Sequence, residues 1–392
     1  MKILIDGQVL TTYAFGKPGF TGGTESYVKI VATGLAELGH TVHVVAPDLD
    51  EEEQRGDNEW WWPAGYHPTK ADVVVAVHNL QSVPGYVAEH FVLMPNGIDP
   101  WIGDDGSWGQ RLSAVACFSQ CHVDLLTRAR PSITPEQCKI TGLGVTLSDY
   151  AKLNSWFMPD EERIRREITH PVIETEWELI EKTVPGRMFF ANDPARGLWH
   201  VLDIFDKVRE RVPTATLHIG YDFDRQFEPH RWKAHARSQR MWDCRERIDR
   251  GEGIVNLGAL THDELIREQL ECQVHVMPSD PENVGSQIHG LSQLECAAAG
   301  AALVLSDIEA FPELFADCAT ILPVPGTQAG YDQEGDSVYR VTAEHWADEV
   351  VKLMTDEAAW QTASKASREV AGRHDWSRVI SNWDAMLTGL KE

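Results

Sequence analysis

Between residues 278 and 313 the chain strings together residue types that hold anions and hydroxyl groups. Pro278 and Ser279 close an apolar run, and Gln287, Gly290, Leu291 and Glu295 lead into a small-residue stretch, Ala297, Ala298, Ala299 and Gly300. This pattern predicts a turn running into a helix. Gly290 leaves backbone N–H groups near the helix start, where they and the helix dipole favour an anionic group. Glu295 lies two turns beyond Gln287 and points the same way on the helix face, where it could hold hydroxyls. The small residues let this helix approach a neighbouring backbone. A buried strand at 302–306 follows, and Pro312 with Glu313 opens a further helix.

Three other places carry comparable chemistry. Gly22, Gly23, Thr24 and Glu25 stand between a strand and a helix, where glycines admit close approach to a ligand and Thr24 could cap the helix. A plain tight turn accounts for the glycine pair equally well. His78 follows the apolar run 73–77, at the carboxyl end of a buried parallel strand, the edge at which open α/β sheets bind ligands. A structural histidine remains the alternative there. Arg196 and Gly197 follow another such strand, and a guanidinium in that position can hold a diphosphate through paired hydrogen bonds. Taken alone, Arg196 reads as a surface residue.

Apolar runs alternate with amphipathic stretches, as parallel sheets crossed by helices require. The first half predicts strands at 2–6, 41–46, 73–77, 91–94, 114–118 and 139–142, with a helix at 25–38 stopped by Gly39 and His40. The second half predicts strands at 187–191, 216–220, 254–257, 274–277, 302–306 and 320–323. Two doubly wound, Rossmann-like domains follow: 1–160 and 185–374, joined by a charged linker at 161–184, with a last helix over 375–392.

A chain of 392 residues is too long for one ordinary core and suits two domains. Sixty acidic against 35 basic side chains give a net charge of −25, which argues against broad attraction to nucleic-acid phosphates or anionic lipid while leaving room for a local basic cleft. No apolar run approaches the roughly 20 residues that span a bilayer. The first strand begins at once with no leader, and seven scattered cysteines suggest a reducing compartment. The expectation is a soluble, cytoplasmic protein.

Some features tempt. Cys117, Cys121 and His122 form a tight group that lacks a second pair at zinc-site spacing, and small apolar side chains at a strand end account for it. Asp222 and Asp224 have a metal-nucleotide spacing but read as a solvated loop, as does the acidic stretch 48–59. Trp60, Trp61 and Trp62 could stack on sugars or bases, or pack on a flanking strand.

The segments at 22–25, 78, 196–197, 258–265, 278–313 and 375–377 together resemble the retaining GT-B glycosyltransferases, glycosyltransferase family 4 and its relatives. The resemblance covers nearly the whole chain and implies a GT-B fold, two Rossmann-like domains facing a central cleft. It implies a metal-independent transfer from a nucleotide diphosphate sugar, such as a UDP- or GDP-sugar, to an acceptor with retention of configuration. Gly22, Gly23 and Glu25 would face the donor diphosphate, and Arg196 with Gly197 would neutralise it. His78 and Gln287 would orient the donor sugar, and Glu295 would hold the ribose. Gly258, Gly290 and Leu291 would complete the donor site.

Two positions depart from the family pattern. Gln287 stands where the first of two glutamates is expected, with Glu282 as an acidic alternative five residues earlier. Asn192 and Asp193 stand where many relatives carry a second basic residue. A nucleotide-sugar epimerase, a catalytically silent nucleotide-sugar binder and a transferase acting on a modified nucleobase remain alternatives. The acceptor could be a glycan, a small molecule or a protein.

Overall fold

The computed structural model describes residues 1–7, 23–47, 49–65, 67–78, 80–81, 83–100, 102, 107–150, 183–221, 236–279, 287–324 and 342–391. Gly22, Asp222, Asp224, Glu282 and nearly all of the expected linker lie outside these residues.

Two sheets organise the chain. The first has eight strands in the order β3-β4-β2-β1-β5-β6-β7-β8. These are β1 (Lys2–Asp6), β2 (Thr41–Val45), β3 (Glu53–Gly56), β4 (Glu59–Trp62), β5 (Val73–Val77), β6 (His90–Met94), β7 (Ala114–Cys117) and β8 (Cys138–Ile140). All neighbours pair in parallel except β3 and β4. The second sheet is parallel throughout, in the order β11-β10-β9-β12-β13-β14. Its strands are β9 (Arg187–Phe190), β10 (Thr216–Ile219), β11 (Ile254–Asn256), β12 (Val274–Met277), β13 (Ala302–Ser306) and β14 (Ala319–Leu322). Central strands such as β5 and β13 are buried along their whole length, which explains their unbroken apolar sequences: helices cover both faces of a parallel sheet.

Helices α1 (Gly23–Glu37) and α2 (Gln120–Ala129) belong to the first sheet. Around the second lie α3 (Leu198–Arg211), α4 (Ala236–Arg250), α5 (His262–Glu271), α6 (Leu291–Ala299), the short α7 (Phe311–Phe315), α8 (Ala343–Thr355) and α9 (Glu357–Gly372). The last helix, α10 (Trp376–Gly389), lies against α1. Trp383 Nε1 donates to Tyr27 Oη at 2.7 Å, His40 Nε2 meets Asp384 at 2.7 Å, and Asn382 Nδ2 donates to the Thr141 carbonyl at 3.2 Å. Gly34 leaves the space that Ile380 fills, since a methyl group there would lie 2.2 Å from Ile380 Cδ1.

Two readings are refined. Glu51 and Glu52 lie exposed ahead of β3, as expected of a solvated loop, whereas residues 53–56 form that strand and Glu59 starts β4 with its side chain buried. The tryptophans are strand residues of β4, not a free aromatic platform. Alternation sends Trp61 into the core, where its Nε1 donates to Glu59 at 2.6 Å. Trp60 and Trp62 take the other face around His43, Trp60 stacked at 5.2 Å and Trp62 Nε1 donating to His43 Nδ1 at 3.0 Å. The Cys117–His122 group is a packing feature. His122 Nδ1 accepts from the Phe118 amide at 3.2 Å and Nε2 meets the Gly97 carbonyl at 3.3 Å, so both ring nitrogens have partners.

Candidate active site

Most candidate residues lie at the start of α1 and on the turns that follow β5, β9, β12 and β13, and contacts between the two sheets' loops bring several of them together. Gly23 opens α1, and a methyl group added to it would touch Leu291 Cδ2, at the start of α6, at 3.5 Å. The amino ends of these two helices, one from each sheet, therefore meet. Gly290 is the residue before α6 and offers no side-chain cap, so the first amides of α6 have no cap from that side chain. Glu25 is buried in the first turn of α1.

The turn after β9 holds Arg196. Asp193 Oδ1 accepts from the Ala195 amide at 2.9 Å and caps a single turn of 3-10 helix, Pro194–Arg196. Asp193 thus shapes the loop that presents Arg196, an acid doing structural work where the family pattern has a base. Gly197 follows at φ +120°, a conformation other residues rarely adopt, and a methyl group there would lie 2.4 Å from the Pro278 carbonyl oxygen. The loops after β9 and β12 are packed through that glycine. Gly197→Ala is accordingly expected to lower stability by more than about 1 kcal/mol, read as a drop in melting temperature.

Gln287 sits on the loop before α6. Its amide donates to Glu309 Oε2 at 2.5 Å, and its carbonyl accepts from the Ala310 amide at 3.2 Å. His289 lies between Arg196 and the first domain, its ring edge-on to Phe118 at 5.0 Å. Burial, then the charges of Arg196 and His122, push the His289 pKa down to about 3, so the ring is neutral at physiological pH. Glu295 Oε2 accepts from Gln269 Nε2 at 3.0 Å, and Gln269 Oε1 in turn accepts from Tyr150 Oη at 2.8 Å. Burial raises the Glu295 pKa to about 6, against the lowering effect of the Gln269 hydrogen bond.

His78 ends β5 at φ +67°. Gly258 follows edge strand β11 at φ +70°, with its amide on Asn256 Oδ1 at 3.2 Å and open space beside its Cα.

Further contacts tie the two sheets together here. Ser119, the cap of α2, donates from Oγ to the Ile288 carbonyl at 2.9 Å. Glu313 accepts from the Gln120 and Cys121 amides at 2.7 and 2.8 Å, so a carboxylate of the second domain caps a helix of the first. Ser119, Tyr150, Gln269, His289 and Glu309 were not singled out from the sequence. Each acts through a partner remote in the chain, and only the position of His289 inside the 287–295 segment offered a local signal.

Five buried polar atoms on these loops have no hydrogen-bond partner among the described residues: His78 Nδ1, Ser279 Oγ, Gln287 Nε2, His289 Nδ1 and Ser292 Oγ. Buried polar groups are nearly always paired. On turns that follow strand ends, such groups hold hydrogen-bonding capacity that a polar ligand could take up.

Two doubly wound parallel-sheet domains facing a cleft constitute the GT-B fold. Solved structures share it over essentially the whole chain. A sucrose-phosphate synthase from Thermosynechococcus elongatus is 14% identical with a TM-score of 0.66, covering 99% of this chain and 98% of its own. A glycosyltransferase from Rickettsia africae is 11% identical with a TM-score of 0.65, covering 100% and 98%. Anabaena Alr3699/HepE, solved with UDP and glucose, is 14% identical with a TM-score of 0.61, covering 99% of each chain. No family model and no curated protein sequence matches the chain. Among the described residues, no helix is long and apolar enough to cross a membrane.

Proposed function

We propose that this protein is a glycosyltransferase that moves a sugar from a nucleotide diphosphate sugar to an acceptor hydroxyl with retention of configuration. The observation that carries this reading is the set of buried, unpartnered polar side chains on the turns after β5 and β12 and at the start of α6: His78, Ser279, Gln287, His289 and Ser292. In this reading residues 1–160 with the last helix form the acceptor side, and 185–374 form the donor side. The nucleotide is UDP or GDP, and the protein works in the cytoplasm.

The donor C1–O bond breaks with both electrons leaving on the diphosphate. The acceptor oxygen forms the new bond from the face the diphosphate leaves and gives its proton to a phosphate oxygen. Arg196 and the amides near Gly23 and Gly290 meet the charge as it accumulates, stabilising the transition state more than the ground state. Gln287 and His78 orient the sugar, and Glu295 holds the ribose. No metal ion is needed for this arrangement, so a chelator is expected to leave turnover unchanged.

A panel of nucleoside diphosphates and nucleotide sugars read by melting temperature tests the reading. The matching nucleotide, at a hundred times its Kd, is expected to stabilise the protein by about 2.7 kcal/mol. No response to any member would remove the donor site. Gln287 in place of a carboxylate favours a second reading, a silent nucleotide-sugar binder. Binding of a donor with no release of nucleoside diphosphate to any acceptor or to water would select it.

A further inference from the structure

Residue 287 can exchange hydrogen bonds with a sugar, but its neutral amide cannot supply negative charge to a ring that becomes positive as the diphosphate departs. The structure brings a carboxylate to the same place from the neighbouring loop. Glu309 follows β13, and its Oε2 accepts the Gln287 backbone N–H at 2.5 Å. The Gln287 carbonyl is bound by the Ala310 amide, so the two loops are joined on both sides of the Gln287 peptide.

Glu309 is also held in an unusual backbone state. At φ +47° it is one of two non-glycine residues with positive φ among those described, and His78 is the other. A long side chain in this region is strained, and such strain persists where the surroundings enforce it, commonly at functional sites. The residue whose backbone amide Glu309 holds also carries one of the buried unpartnered atoms, Gln287 Nε2. The Glu309 carboxylate is felt in the opposite domain: the Cys121 thiol is pushed up to about 11 by burial and then by the charges of Glu309 and Glu313.

We propose that Glu309 supplies the negative charge at the donor sugar that residue 287 does not carry, while Gln287 supplies the hydrogen bonds. This role rests on the glycosyltransferase reading. Glu309 forms no bond to the sugar and passes no proton. The charge of one carboxylate and the orienting function are divided between two loops, locked together by the Gln287 amide.

The test uses the full-length protein with Glu309→Gln, Gln287→Glu, the double variant and Glu282→Gln. Affinity for UDP and GDP is measured by calorimetry, and donor turnover by release of nucleoside diphosphate. Glu309→Gln is expected to keep diphosphate affinity within about twofold and to lower kcat by about a hundredfold, the scale of losing one preorganised electrostatic partner. Gln287→Glu added to it restores the charge from the other loop and is expected to recover most of the lost kcat, which a purely structural Glu309 would not allow. Unchanged kcat in Glu309→Gln overturns the proposal, as does a parallel loss of diphosphate affinity. A large kcat loss in Glu282→Gln with none in Glu309→Gln moves the charge to residue 282 and also overturns it. If the wild-type protein binds neither UDP nor GDP, or binds donor without ever releasing the diphosphate, the glycosyltransferase reading fails first and the Glu309 role falls with it.

Discussion

Arg196→Ala is expected to weaken nucleotide-sugar binding or turnover by about 1.5–3 kcal/mol, the value of a hydrogen bond to a charged partner. The expectation follows from how the site divides its cations. The resemblance noted in the sequence implies a second basic residue in many relatives where this chain has Asn192 and Asp193, and Asp193 is spent on capping the turn that presents Arg196. His289, close enough to sense that guanidinium, is kept neutral by burial and cannot act as a second cation at physiological pH. Under the proposed glycosyltransferase reading, diphosphate neutralisation then falls on Arg196 and on helix-end amides. Arg196→Lys should recover only part of the loss, because an ammonium cannot form the paired contact of a planar guanidinium. Calorimetry with a nucleoside, its monophosphate and its diphosphate provides the check: the variant should lose the preference for diphosphate. Wild-type protein that binds nucleoside and nucleoside diphosphate equally would contradict the assignment.

Nucleotide affinity is expected to fall as pH drops through about 6, and Glu295 is the cause. Its folded pKa is raised, so the neutral acid is favoured in the empty site. The sign of the linkage follows. Stability from this group is fully present below its ordinary value of 4.5 and is lost as pH rises through about 6, where the buried carboxylate must ionise. Under the proposed reading a ribose hydroxyl pair would donate to the ionised form, so binding is expected to be strongest above pH 6, taking up the carboxylate that the empty site holds at a cost. Between pH 7.5 and 5 the affinity of a nucleoside diphosphate should drop by up to about tenfold. Glu295→Gln should flatten this dependence, weaken binding at pH 7.5 by about 1.5–3 kcal/mol, and raise the melting temperature of the empty protein above pH 6. Titration in two buffers of different protonation enthalpy measures the proton released. A wild-type affinity that stays flat from pH 5 to 7.5 would rule out Glu295 as a ribose ligand.

Strands such as β5 and β12 could be read from the sequence because a strand buried on both faces has to be apolar throughout. The β3–β4 pair could not. Glu53–Gly56 is polar and half exposed at the sheet edge, and the buried Glu59 is intelligible only once Trp61 Nε1 is seen to donate to it. The same division runs through the site. Gly197, Gly290 and Glu295 belong to local patterns of turn and helix, so their types and spacing are informative. The contacts of Ser119 with Ile288 and of Tyr150 with Gln269 span 169 and 119 residues, and no local window contains both partners. The departure at Asp193 becomes intelligible for a related reason, since the turn it caps is seen only once the loop after β9 is folded.

The seating of α10 on α1 carries a consequence for how the protein is made. Tyr27 and Trp383 are both buried and bonded to each other, and the Thr141–Asn382 hydrogen bond joins residues 241 apart. Ribosomes add roughly 5–20 residues per second, so the strands of the first domain wait some tens of seconds before their final helix emerges. Throughout that interval the face of α1 that receives α10, including the space beside Gly34 that Ile380 fills, lacks its final cover. Nascent chains stalled after the second sheet should therefore be captured by chaperones through their earliest helix, and a stop codon ahead of Trp376 would injure the amino-terminal half of the molecule first.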